Sequence, residues 1–257
     1  MGKIHPTAIV SPSATVGEGT EIGPYCIVGD DVSIGENCWL QHHVTIMGPT
    51  KIGSENRFYS YACIGQRSQD LKYATEPTYL EIGHRNTFRE FSTVHRATAE
   101  SNGTRVGNDG NFLSYSHIAH DCIIGNHVIF SNNGTVAGHV EVGDYANIGG
   151  LTAVHQFCRV GAHAITGGCS KIVQDVPPFF IADGNPAEIR GVNNVGLERR
   201  GYTPEQLKTL KEAYRILYRS NLNVKQAATE LEEKFGASVE GRFLIDFIST
   251  SKRGIIR

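Results

Sequence analysis

The sequence has no apolar run approaching the roughly 18 residues that a membrane-spanning helix needs, so an integral helical membrane protein is excluded. Its start, Met1-Gly-Lys-Ile-His-Pro6, lacks the apolar core of a signal peptide, and Pro6 stands where a myristoylation signal wants Ser or Thr. The six cysteines are scattered, with no Cys-x-x-Cys pair, which points to reduced thiols and a cytoplasmic protein rather than a disulfide scaffold. There is no Walker loop, no Rossmann glycine fingerprint and no nucleophile elbow. Nor is there a basic stripe with interleaved aromatics for nucleic acid. The net charge of −2 names no partner, but it is unevenly spread. Residues 1–189 carry 11 Lys and Arg against 18 Asp and Glu, whereas residues 190–257 carry 13 against 8. A basic C-terminal segment on an acidic protein suits an anionic partner, although a solvated helical surface explains it equally simply.

What is present is a six-residue period. From Ile4 through Val10, Val16 and Ile22 to Ile172, 25 of 29 positions in one register are apolar, the exceptions being Asp70, Glu76, Glu100 and Thr166. Ordinary apolar usage would give about 12. A period of six is neither a helix stripe nor one long strand; it fits short strands of a parallel β-helix, three hexads to an 18-residue coil. About nine coils at about 4.8 Å make a three-faced prism roughly 45 Å tall. Glycine often follows the apolar residue, as at Gly17, Gly35, Gly53 and Gly125, and is expected to supply unusual backbone angles at corners. Cys26, Cys38, Cys122 and Cys158 all lie four residues after the apolar position, which predicts small inward-facing slots rather than chemistry.

Two polar stretches, near 66–80 and 97–105, interrupt the repeat and read as loops leaving the prism. Pro177-Pro178 and Gly184-Asn-Pro186 end it in an irregular crossover. The chain thus divides into a β-helix over 1–190 and a helical domain over 191–257. Thr203-Pro-Glu-Gln206 is a capping box with proline at the first helical position, Asn223 caps a second helix closed by Gly236, and a third runs over about 240–250 with Phe243, Phe247 and Ile248 expected to be buried.

The chemistry-bearing stretch is Ser114-Tyr-Ser-His-Ile-Ala-His120-Asp-Cys-Ile-Ile-Gly125. An imidazole that titrates near neutrality, next to Asp121, suits a general base. In 18-residue coils His120 stacks on Gly138, with His139 one step along, and His117 flanks the same corner. His95 and His155 are 60 residues apart, not a multiple of 18, and are therefore expected on different faces, unable to join His120 within one chain. The cluster suits base catalysis or zinc held by three histidines. Asp70 replaces a core residue and is followed by Lys72; Arg199-Arg200 can bind phosphate, or be plain surface.

Taken together, the hexad prism, His117-Ile-Ala-His-Asp-Cys122, Thr152-Ala-Val-His-Gln-Phe-Cys158, Gln174-Asp-Val-Pro-Pro178, Gln69-Asp-Leu-Lys-Tyr73 and Arg199-Arg-Gly201 resemble the acyl-carrier-protein–UDP-N-acetylglucosamine O-acyltransferases of lipid A biosynthesis over nearly the whole chain. The resemblance implies a mainly β fold, a left-handed parallel β-helix with a C-terminal helical domain, and a homotrimer with sites between subunits that would let His95 and His155 join His120. It implies a cytoplasmic enzyme of Gram-negative bacteria with no cofactor. Its donor is an (R)-3-hydroxyacyl chain on the 4′-phosphopantetheine of acyl carrier protein, its acceptor the 3-hydroxyl of UDP-N-acetylglucosamine. His120 with Asp121 would be the base and the Gly138 N–H the oxyanion donor. Gln69, Asp70, Lys72, His95, His117, His139, His155 and Gln156 would hold sugar and pantetheine; Asn193, Arg199 and Arg200 would hold the nucleotide. Gly168 matches the position that sets acyl length, and a glycine there implies twelve carbons or more. Val195 stands where the family often has Glu, which leaves one nucleotide contact open. The other readings are transfer to a 3-amino sugar, the related N-acyltransferase (which carries a domain ahead of its repeats, whereas here they start at Ile4), a zinc hydratase on the same prism, and a non-catalytic scaffold.

Overall fold

A computed structural model describes residues 3–101 and 103–257. Among the described residues there are three sheets of nine, eight and ten strands; the hexad strands in them are parallel, each pairing with the same face of the next coil. The chain passes in turn through the nine-, eight- and ten-stranded sheets, and the result is a left-handed parallel β-helix. Most strands are two residues long, one side chain in and one out, as at Glu21–Ile22 and Ile123–Ile124. Burial of the inward apolar residues from Ile22 to Ile172 holds the rod together. Phe58, Phe88 and Phe112 stack at centroid spacings of 5.2 and 4.7 Å, and Phe130 meets Phe112 edge-on at 5.3 Å; each buried ring stabilises by about 1.5–3 kcal/mol. Cys26, Cys38, Cys122 and Cys158 fill inward slots as expected, and burial pushes the Cys122 thiol up to about 12.

The corner glycines do a different job from the one expected of them. The left-handed corner residue is three past the apolar position and is seldom glycine: Tyr25, Asn37, Asp121, His139 and His163 all have φ between 54° and 62°. The glycine one past the apolar position is needed for space. A Cβ on Gly35 would sit 2.6 Å from the backbone of Gly53, and one on Gly107 2.7 Å from Gly125.

The two insertions keep the six-residue phase but shift the faces. Ile52 pairs with Ile82 and Ile82 with Val106, steps of 30 and 24 rather than 18. The last coil is closed by an antiparallel hairpin, Phe180–Gly184 with Ala187–Val192, on the ten-stranded sheet, where the sequence suggested only an irregular crossover. Four helices follow: α1 (Asn194–Arg199), α2 (Pro204–Arg219), α3 (Val224–Phe235) and α4 (Val239–Ser249). The expected capping box at Thr203 and the expected cap at Asn223 are formed, the second also as a capping box with Gln226; α1 has no counterpart in the sequence reading. Phe243 is half exposed rather than buried, because α4 turns Leu244, Phe247 and Ile248 inward instead. The C-terminus returns to the prism, where the Ile256 N–H donates to the Asp175 carbonyl (2.9 Å). No helix among the described residues is long and apolar enough to cross a membrane.

Candidate active site

Along one edge of the prism the chain turns from the nine-stranded to the eight-stranded sheet. Both insertions leave the prism at this edge, after strands Cys63–Gln66 and Thr93–His95. Immediately above them, His120 and Asp121 follow strand His117–Ile118. Asp121 takes the left-handed corner position (φ 62°), which turns its carboxylate back under the chain.

The Nδ1–H of His120 donates to Asp121 Oδ2 at 2.6 Å. The Asp121 side chain is fully buried and accepts further hydrogen bonds from the Thr98 N–H (3.0 Å), the Thr98 hydroxyl (2.8 Å) and the Ser101 hydroxyl. Burial works against its charge, but the bonds from His120, Ser101 and Thr98 outweigh it and hold the carboxyl at about 2. An ionised carboxylate can only accept, so the His120 proton lies on Nδ1 and Nε2 is free to take another. The ring packs against Gly138, where a Cβ would come within 2.4 Å of His120 Cε1 and 2.6 Å of Nε2. Among the described residues nothing accepts a hydrogen bond from the Gly138 N–H.

Other histidines gather at the same edge. His139 stacks on Phe157 at 4.5 Å, with Nε2 3.6 Å from Asp121 Oδ2 and 3.8 Å from Glu100. His117 shares a 2.7 Å hydrogen bond through Nδ1 with Thr93, and its ring centroid is 4.9 Å from that of His95. Burial, then the charges of His117 and His120, push His95 down to about 4; burial and His120 lower His117 as well. His155 and Gln156 are exposed on the coil above Gly138. The expectation that His95 and His155 lie on different faces is overturned. The 24-residue step between Val94 and Ile118 returns His95 to the nine-stranded sheet, on the same edge as His155.

In the first insertion Asp70 Oδ1 accepts from the Lys72 N–H (2.8 Å), with Gln69 exposed beside it, and Glu76 accepts from Ala99 N–H across to the second insertion (3.3 Å). The remaining candidates lie elsewhere. Asn193 donates to the His163 carbonyl (2.9 Å) and Arg200 stacks over Tyr145 (4.3 Å), both at the edge between the eight- and ten-stranded sheets, with Arg199 ending α1. Gly168 lies at the third edge, where a Cβ would make only ordinary contact with the Gly150 carbonyl at 3.5 Å. One chain therefore does not bring these three groups together.

The histidine cluster also bears on zinc. Among the described residues the ligand-type groups that converge within 4.8 Å are His120, Asp121 and His139, not three imidazoles. The Asp121 lone pairs and His120 Nδ1 are already committed to one another and to the second insertion. That donor set fits a proton-transfer pair better than a tetrahedral zinc site. A cavity of about 450 Å³ opens beside Asp121, lined also by His139, Phe157, Arg159, Lys252 and Arg253. A cavity of about 520 Å³ at the other end of the prism, around Trp39 and His42, has no comparable pair, so geometry rather than volume singles out the His120 edge.

Thr98 and Ser101 were not among the residues singled out in the sequence. The polar interruption marked their loop, but no local pattern ties a threonine to an aspartate 23 residues later.

Comparison with known proteins decides the family. The chain is 50% identical, over the full length of both, to the acyl-(acyl-carrier-protein)–UDP-N-acetylglucosamine O-acyltransferase of Burkholderia lata. It belongs to that family. The corresponding protein of Thiobacillus denitrificans is 46% identical, again over the full length of both chains. The crystal structure of UDP-N-acetylglucosamine O-acyltransferase (LpxA) from Moraxella catarrhalis superposes with a TM-score of 0.95 at 45% identity, covering 99% of each chain. A family model described as UDP N-acetylglucosamine O-acyltransferase, domain 2, matches residues 175–256.

Proposed function

We propose that this chain transfers an (R)-3-hydroxyacyl group from acyl carrier protein to the 3-hydroxyl of UDP-N-acetylglucosamine, the first step of lipid A biosynthesis. The observation that carries the reading is the His120–Asp121 pair lying over an unengaged Gly138 N–H, in a chain whose full-length relatives bear that name. His120 Nε2 takes the proton from the sugar hydroxyl as its oxygen attacks the thioester carbonyl carbon. The oxyanion of the tetrahedral intermediate accepts from the Gly138 N–H. Collapse breaks the C–S bond, and the imidazolium returns its proton to the pantetheine thiolate. No covalent enzyme intermediate and no cofactor is required.

The sites form between subunits of a homotrimer. Asn193, Arg199 and Arg200 lie at a different edge from His120, so a neighbouring chain supplies the nucleotide contacts, and Gly168 opens a groove for a chain of twelve carbons or more. His139, His155, Gln156, Asp70 and Lys72 surround sugar and pantetheine. The excess of Lys and Arg over residues 190–257 steers the acidic acyl carrier protein, and the reaction is cytoplasmic, like its carrier.

The test is acyl transfer by chelator-treated protein offered a panel of 3-hydroxyacyl carrier proteins and UDP-N-acetylglucosamine, with His120→Ala alongside. Ester product from wild type, reduced about 10³-fold in His120→Ala, supports the reading. Activity retained in the variant overturns the base assignment. Product from a 3-amino sugar alone moves the acceptor to an amine, and loss of activity on chelation reopens a metal mechanism.

A further inference from the structure

Among the described residues, the donors that hold the Asp121 carboxylate, apart from His120, come from one short segment outside the regular coils. That segment exists because the second insertion adds six residues between Val94 and Ile118. Each hydroxyl in it has its proton directed. The Glu100 N–H donates to Thr98 Oγ1 (3.4 Å) and the Gly103 N–H to Ser101 Oγ (3.2 Å). With their oxygens accepting from the backbone, the two hydroxyls turn their own protons toward the carboxylate.

We propose that Thr98 and Ser101 are positioning residues for the acyl transfer: their hydroxyls lock the buried Asp121 carboxylate in the orientation that keeps the His120 proton on Nδ1 and leaves Nε2 free. A carboxylate offers about four lone-pair sites, and the Thr98 N–H, the two hydroxyls and His120 fill them. Removing a hydroxyl leaves a buried lone pair unmatched, which loosens the group and favours its protonation. A protonated Asp121 donates to Nδ1 and pushes the ring proton onto Nε2, the tautomer that cannot act as base. The insertion is thus part of the catalytic apparatus although it need not touch substrate.

This rests on the base role of His120 proposed above, so the test reads the clamp in two ways. Thr98→Val, Ser101→Ala and the double variant are compared with Thr98→Ser, which restores a hydroxyl. Each single loss is expected to lower kcat about tenfold and the pair about a hundredfold, as for hydrogen bonds to a charged group. KM for the sugar nucleotide stays within about twofold and Thr98→Ser stays near wild type. The acid limb of kcat/KM moves to higher pH. The other groups facing the pair, His117 on the same coil, His95 and His139 on the coils either side, Glu76 and Glu100 on the insertions and Lys252 and Arg253 along the cavity beside Asp121, are unaltered. Independently of turnover, the downfield proton resonance of His120 Nδ1–H, assigned by its loss in His120→Gln, should shift or broaden in the double variant and not in Thr98→Ser. Wild-type kcat, acid limb and resonance in the double variant would overturn the proposal, as would Thr98→Ser failing as badly as Thr98→Val. If the double variant does not fold, Ser101→Ala alone decides by the same readouts. If wild type transfers no acyl group, the functional reading falls while the resonance still decides the clamp.

Discussion

His120 and His163 stand at different edges of one prism and have opposite surroundings. His163 occupies the left-handed corner position itself (φ 58°), stacked between Tyr145 and Phe179. Its Nδ1 is buried without a partner among the described residues, and burial together with the Arg200 charge pushes it down to about 4. In the His120 corner that position is taken by Asp121, and the histidine stands one residue earlier. The backbone slots are alike. What differs is what Nδ1 meets: a carboxylate in one case, and burial without a partner, with the Arg200 charge near by, in the other. The fold supplies both corners for the same packing reason, and chemistry is possible only where a carboxylate has been buried with enough donors to stay charged.

The most forceful way to break this comparison is to remove each ring in turn. His120→Gln should lower kcat by about 10³-fold, whereas His163→Gln should change it by less than about threefold. Equal losses measured in steady-state transfer would mean that the two corners are not functionally distinct. Glycine sharpens the contrast. A Cβ on Gly138 meets the His120 ring, a side chain that can be displaced, whereas one on Gly161, at the His163 edge, meets backbone of Pro178 at 2.3 Å. Gly138→Ala should therefore fold normally and lose about a hundredfold in kcat through a misplaced base. Gly161→Ala should lose about 1–3 kcal/mol of stability in urea unfolding and keep its kcat. The reverse pattern would show that Gly138 serves stacking rather than the base.

Much of this was legible in the sequence because it is periodic. The apolar series from Ile22 to Ile172 is the core, the buried cysteines fall in its register, and the helix caps at Thr203 and Asn223 are local signals. His120-Asp121 was legible because the two are adjacent. What stayed hidden depended on lengths and long-range contacts. A loop that adds six or twelve residues preserves the hexad phase and conceals the change of face, so His95 was assigned to the wrong one. Thr98 and Ser101 reach Asp121 only through the folded loop. Phe243 has the spacing of a core residue on α4, but three neighbouring apolar residues fill the inward face.

The smallest expected effect concerns acid. An unfolded histidine titrates near 6.5, whereas His95 and His163 are held at about 4 in the fold. Between those values the unfolded chain binds more protons, so the stability owed to these neutral rings is full above 6.5 and is lost as pH falls toward 4. Asp121 behaves oppositely. Its carboxyl is lowered from 3.8 to about 2, so its contribution is full above 3.8 and fades only below it. The two windows do not overlap, and mild acid therefore weakens the packing around His163 and around His95 while Asp121 stays ionised. His163→Phe keeps the stacked ring and removes one titrating group. It should flatten the fall in stability between pH 6.5 and 4 by at most about 1.4 kcal/mol per pH unit, read from urea midpoints across that range. The residual slope then belongs to His95 and to whatever else titrates there. An unchanged slope would mean that His163 takes up its proton in the fold, and the distinction between a neutral corner and a charged one would fail.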